Sequence, residues 1–154
     1  YYFYYIKNKM KHYLLFIAFI IFCSCDPMDD RLVFKNSTND KIVVRLMFDK
    51  ELPNNPEHWN RSRNFTINPF EEKKLSIFNQ WEGEFKRALP NKAINVLVTK
   101  YYDFETNPNK WDTLYSKGSY FKSKFTLEEI KTNDWMIIYP NNKFKKGESY
   151  MLKK

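Results

Sequence analysis

Period-two alternation of apolar and polar residues runs through most of the chain after residue 30 and predicts β-strands. In the segment 41–48, Ile42, Val44, Leu46 and Phe48 share one face, with Val43, Arg45 and Met47 on the other. An extended segment at 31–35 precedes it. The two are joined by Asn36-Ser37-Thr38-Asn39-Asp40, short polar side chains that bond their own backbone in turns, so a hairpin is expected. Residues 49–63 have no periodicity and carry Pro53, Pro56, His58 and Trp59, which reads as a long loop. A second hairpin is expected where 64–68 leads through Pro69-Phe70-Glu71-Glu72 into 73–78, with Phe65 and Ile67 opposite Leu75 and Ile77.

Trp81, Phe85, Ala88 and Leu89 then fall at spacings of three and four, which predicts a short helix over 80–89, ended by Pro90. Residues 93–104 form the strongest strand pattern. Ile94, Val96, Val98, Tyr102 and Phe104 lie on one face and Leu97 and Tyr101 on the other, and Asn107-Pro108-Asn109 breaks the run. Extended alternation resumes over 119–125. Thr126-Leu127-Glu128-Glu129 is a capping box: the threonine hydroxyl accepts from the Glu129 amide and the glutamate reaches back to the cap, with Phe125 and Ile130 as a hydrophobic staple. That helix should end near Asn133. A last strand over 135–139 stops at Pro140. Seven short strands and one or two short helices, with no internal repeat, point to a mainly-β fold. A single antiparallel β-sandwich, immunoglobulin-like or similar, fits best, with α+β or a small β-barrel as alternatives.

The first 25 residues follow a different pattern. Lysines at 7, 9 and 11 precede an apolar run from Tyr13 to Phe22, and Phe22-Cys23-Ser24-Cys25 follows. Ten helical residues cover about half of a bilayer core near 30 Å thick, which suits the apolar region of a signal peptide better than a spanning helix. Met10 is read as the start of that signal. The tetrapeptide resembles the lipobox of bacterial lipoproteins, although Phe22 replaces the usual aliphatic residue. The resemblance implies cleavage before Cys25 and lipid, palmitate included, on its sulfur and amino group. Asp26-Pro27-Met28-Asp29-Asp30 resembles the acidic export signal of surface lipoproteins in the Bacteroidetes, and Asp26 also resembles the inner-membrane retention signal of enterobacteria. The stretch from Phe125 to Pro140 is similar to the C-terminal part of small uncharacterised Bacteroidetes lipoproteins. That likeness implies an envelope location, most simply the outer membrane, facing the periplasm or the surface. It supplies no active-site residue. The expected organisation is a signal peptide over 1–24, a lipidated acidic tether over 25–30, a sandwich domain over 31–140 and a basic tail over 141–154.

Composition refines this picture. Of 154 residues, 19% are aromatic and only 3 are glycine, a chain able to bury a core. Removing Lys7, Lys9 and Lys11 with the signal lowers the net charge from +8 to +5, and much of the remainder sits at Lys143, Lys145, Lys146, Lys153 and Lys154, expected to be a solvated end. Once Cys23 is discarded and Cys25 lipidated, no thiol remains for disulfides, catalysis or metal.

The same residues exclude most chemistries. His58 is the one histidine after the signal, and no Gly-x-Ser-x-Gly elbow, zinc set or phosphate loop occurs, so no cofactor or metal is expected. Paired acids, Glu82 with Glu84 or Asp103 with Glu105, are the one catalytic kit on hand, for glycan hydrolysis. Trp59, Trp81 and Trp111 are the candidates for stacking on a sugar, with Trp135 expected in the core. Lys117–Lys124 interleaves basic and aromatic residues, but nucleic acid is not an expected partner of an exported protein. Asp112-Thr113-Leu114 resembles an O-glycosylation pattern of Bacteroidetes envelope proteins and makes Thr113 the candidate acceptor. Asn36, Asn60 and Asn64 begin Asn-x-Ser/Thr triplets that most bacteria leave silent. The expected partners are the membrane, through Cys25, and another envelope protein or a glycan.

Overall fold

The computed structural model describes residues 28–48, 63–78, 80–88, 92–107 and 110–149. Cys23, Cys25, His58, Trp59 and Asn60 therefore lie outside the described residues.

The strands are β1 (Met28–Asp29), β2 (Val33–Asn36), β3 (Ile42–Met47), β4 (Arg63–Ile67), β5 (Glu72–Lys74), β6 (Ile77–Phe78), β7 (Ala93–Lys100), β8 (Phe121–Thr126), β9 (Met136–Tyr139) and β10 (Lys145–Lys146). The helices are α1 (Trp81–Arg87), α2 (Tyr101–Thr106), α3 (Trp111–Lys117) and α4 (Leu127–Thr132). The fold is mainly β with a few short helices, and no sheet closes into a barrel. A five-stranded antiparallel sheet has the order β10-β8-β7-β3-β4, a three-stranded sheet the order β5-β2-β9, and β1 pairs with β6. Within the smaller sheet β2 and β9 run parallel, so the expectation of an all-antiparallel arrangement does not hold.

Alternation decides which faces are buried. Ile42, Val44 and Leu46 of β3, with Ile94, Val96 and Val98 of β7, turn inward against Leu32, Phe34, Ile137 and Tyr139 of the smaller sheet, and Trp81 and Phe85 of α1 close the same core. The opposite face of the large sheet is also covered. Val43, Met47 and Leu97 pack under Phe104 of α2 and Trp111, Leu114 and Tyr115 of α3. Burial on both sides explains why all six residues of β3 are buried. It also sequesters Arg45, 4% exposed, whose guanidinium lies 5.5 Å from the Trp111 ring centroid. Desolvation lowers its proton affinity, and an arginine stays charged regardless.

Neither expected hairpin forms. β2 pairs with β5 and β9, while β3 pairs with β4 and β7, so the turn at 37–41 carries the chain from one sheet to the other. The turn at 68–71 does the same between β4 and β5. Asn36 explains both corners. It is fully buried; its Nδ2 donates to the carbonyls of Asp40 (2.8 Å) and Asn68 (2.9 Å), and its Oδ1 accepts from the Thr38 amide and hydroxyl. One side chain thus satisfies polar groups in both crossings, and a sequon asparagine placed there has no room for a glycan.

Two further expectations change. The strand expected over 93–104 ends at Lys100 and turns into α2, which moves Phe104 to the far face, beside Leu97. The helix count rises to four among the described residues because α3 occupies a stretch expected to have no regular structure. Gly118 ends α3 at φ 63°, the left-handed conformation that frees the Gly118 amide for Tyr115 O and the Ser119 amide for Leu114 O. The domain also extends beyond its expected limits of 31 and 140. Asp29 and Asp30 belong to it, and at the other end Phe144 is buried against Phe34, Phe125 and Tyr139. β10 adds to the edge of β8, and the Gly147 amide donates to Tyr120 O at 2.7 Å. The expected solvated tail is therefore structured as far as residue 149.

Asn36→Ala leaves two corner carbonyls and the Thr38 amide without their partner, and each such orphan costs about 1–3 kcal/mol. A loss of at least about 2 kcal/mol is expected by chemical denaturation. A change under 0.5 kcal/mol would remove Asn36 from its role at the corners.

Candidate functional site

The strand registers give the molecule two ends. Met47, Arg63 and Asn95 mark one end of the large sheet, and Ile42, Ile67 and Lys100 mark the other. β1, three residues after Cys25 in sequence, lies at the first end, because its partner β6 carries Phe78, 5.5 Å from the Arg63 guanidinium.

Five side chains converge there. The Arg31 guanidinium donates through Nε and Nη2 to Asp29, at 2.9 and 2.5 Å, and through Nη1 and Nη2 to Glu82, at 3.0 and 2.6 Å. Its Cζ lies 4.1 Å from the Trp135 ring centroid, and Lys131 reaches Glu82 at 3.4 Å. Asp29 also accepts from the Trp81 amide at 3.0 Å, at the start of α1. Three separate parts of the chain are thereby tied to the entering strand. Asp134 and Trp135 take positive φ, 48° and 61°, where side chains are strained, and this turn presents the indole to Arg31. The Arg31 hydrogen bonds hold the carboxyls of Asp29 and Glu82 down at about 2, and those two acids raise the affinity of the guanidinium for its proton. Glu82 is thus held ionised beside a cation at neutral pH, a poor proton donor for the glycosidic role considered from the sequence. Glu84 pairs with Arg87, and Glu105 with Lys110.

A groove of about 650 Å³ opens between α4 and β9. Phe125, Ile130, Met136 and Ile138 form its apolar floor. Four residues of the polar rim are already paired. Glu129 closes the expected capping box with Thr126 and binds Lys143, which lowers its proton affinity, and Asn133 and Asn141 donate to the Met136 and Ile138 carbonyls. The groove can seat an apolar group, and its rim acid Glu129 is taken up by Lys143.

The tryptophans expected to stack on sugars are not available for it. Trp81 is wholly buried, 6.2 Å from Phe48. Trp111 is 3% exposed; its Nε1 donates to Asn64 Oδ1 at 2.9 Å and its ring packs against Phe104 and Tyr115. Both lost their ligand role to packing, because an indole at helical spacing from other apolar residues is drawn inward. Trp59 lies outside the described residues. Thr113 is half-buried in the first turn of α3, where its carbonyl accepts from the Ser116 hydroxyl. Arg31 escaped the sequence reading: its partner Glu82 is 51 residues away, and only the adjacent Asp29-x-Arg31 spacing hinted at a pair. No group of three or more His, Cys, Asp or Glu residues able to hold a metal occurs among the described residues. No helix among them is long and apolar enough to cross a membrane. No family model, curated protein or solved structure matches the chain.

Two outcomes are expected. Trp81→Ala and Trp111→Ala should each lower stability by about 3–5 kcal/mol in thermal or chemical denaturation, as for a core aromatic; a loss below 1 kcal/mol at either would return that residue to the surface. The second concerns pH. Asp29 and Glu82 titrate lower when folded than their ordinary 3.8 and 4.5, so their contribution is complete above those values and is lost as pH falls towards 2. Arg31→Gln should lower stability at pH 7 by on the order of 1 kcal/mol and flatten its decline between pH 5 and 2. An unchanged slope would deny the coupling.

Proposed function

We propose that this protein is a lipid-anchored envelope lipoprotein with a non-enzymatic binding or structural role, processed before Cys25 and held in the outer membrane. The observation that carries the reading is the position of the first described strand. β1 begins at Met28, three residues after Cys25, and is fixed at once by Asp29 to Arg31, Glu82 and the start of α1. A cleaved chain would thus place its new first residue three residues from a strand already fixed in the domain. Diacylglycerol with an amide-linked acyl chain anchors strongly, at about 0.8 kcal/mol per buried CH₂. The lipobox resemblance supports the same reading.

A binding role agrees with the pairing of Glu82, Glu84 and Glu105 to basic side chains and with an apolar groove whose rim residues Glu129, Asn133 and Asn141 are already bonded. The glycan-binding alternative loses Trp81 and Trp111 and now rests on Trp59 alone. Thr113 stays the proposed O-glycosylation acceptor.

Cys25→Ser should leave a full-length precursor that takes up no labelled fatty acid, while the unaltered protein is cut and labelled. Normal processing and labelling of the variant would refute the anchor. Intact mass reads Thr113 in the same samples: a glycan-sized increment lost in Thr113→Ala is expected, and its persistence would exclude that acceptor. Turnover of a glycan or peptide, abolished by one Asp or Glu substitution, would refute the non-enzymatic role.

A further inference from the structure

The ribbon formed by β1 and β6 is two-faced. Asp29 stands opposite Ile77, and on that side Ile77 is buried at 2% exposure. Met28 stands opposite Phe78 on the other side, and these two remain 54% and 58% exposed. Two large apolar side chains placed side by side in water call for a cover.

We infer that Met28 and Phe78 form a membrane-contact face that seats at the headgroup boundary of the same bilayer that holds the lipid on Cys25. The inference rests on the lipoprotein reading above and adds an orientation to it. Chain length supplies the occupant. Three residues span at most about 11 Å, so a lipid on Cys25 keeps Met28, and with it the paired Phe78, within that distance of the bilayer surface.

Charge agrees with a lipid surface that includes anionic headgroups. Arg63 stands 5.5 Å from the Phe78 ring centroid and donates to Ser76 O at 3.0 Å, which places a guanidinium at the rim of the apolar pair. The two acids that follow Met28 are paired within the fold: Asp29 is bound by Arg31, and Asp30 by Lys74 at 2.8 Å. An apolar pair flanked by a cation, with Asp29 and Asp30 paired, is the composition of an interfacial contact. Among the described residues the other exposed aromatics lie elsewhere, Phe121 opposite Val98 on β7. Phe70 and Tyr102, 66% and 75% exposed, follow Ile67 and Lys100 at the opposite end of the large sheet. The four residue steps from Arg63 to Ile67 alone separate the ends by about 13 Å.

The lipidated chain contains no free thiol, so a single introduced cysteine can carry an environment-sensitive fluorophore. The variants Phe78→Cys, Phe70→Cys and Tyr102→Cys would be labelled and reconstituted in vesicles of phosphatidylethanolamine and phosphatidylglycerol containing a lipid quencher near the headgroup. At least twofold quenching is expected at position 78 and none at 70 or 102. Adding Met28→Asp to Phe78→Cys should halve that quenching or more, which separates contact by the apolar pair from nearness imposed by the tether. Equal quenching at all three positions, or no response to Met28→Asp, would overturn the contact face in a sample whose mass shows lipid on Cys25. Absence of lipid on Cys25 would instead overturn the lipoprotein reading, and this inference with it.

Discussion

Asn36 is the constraint on which the two-sheet arrangement depends. A buried amide without partners would cost the core several kcal/mol. Here every polar atom of the side chain is used, on the chain leaving β2 and on the chain leaving β4. The backbone adds to it: the Asn36 amide donates to Glu71 O at 2.9 Å and the Ser37 amide to Tyr139 O at 2.7 Å. With both crossings fixed at one point, the faces of β2 and β3 must oppose each other, and the alternation along each strand then selects the residues that meet between them. An apolar residue of similar size would fill the space and leave the corners undirected.

Burial on both faces of the large sheet follows from how the chain leaves β7. At Lys100 it turns into α2, with the Tyr101 amide donating to Lys41 O, and α3 then lies over the sheet. The cost is a charged residue, Arg45, enclosed beneath Trp111. The neighbouring Asp112 and Tyr115 lie close enough to act on it, and burial in turn pushes the Tyr115 hydroxyl upward in pKa. This layer is therefore aromatic and polar in mixture, while the layer between the sheets is almost purely apolar.

Local signals in the sequence identified local structure well. The β3 faces, the helix beginning at Trp81, the capping box at Thr126 and the stop at Pro140 are set by neighbours within four residues, and the structure has all of them. Pairing partners were not legible. The turn 36–40 has hairpin composition, and the Asn36 side chain bonds within it to Thr38 and Asp40, yet its one further bond, to Asn68, is a contact that no local pattern encodes. The helix α3 was legible in principle: Trp111, Leu114 and Tyr115 sit at helical spacing before Gly118. The alternation of Tyr102 with Phe104 imitated a strand, while the structure places Phe104 on a helix beside Trp111. At the candidate site, the acids and tryptophans were visible as residue types only. Their commitment to Arg31 and to the core depends on distant segments.

The parallel pairing of β2 with β9 has a consequence for how this chain acquires its structure. Val33 faces Met136 and Asn36 faces Tyr139, so partners about a hundred residues apart in sequence must meet before the smaller sheet exists. Contacts of such high order slow folding, because loop closure comes before the gain from pairing. A chain delivered N-terminus first, from a ribosome or through a pore, would expose Phe34 and Leu32 until residue 139 emerged. Completion of the smaller sheet is thereby deferred until the β9 segment has been delivered.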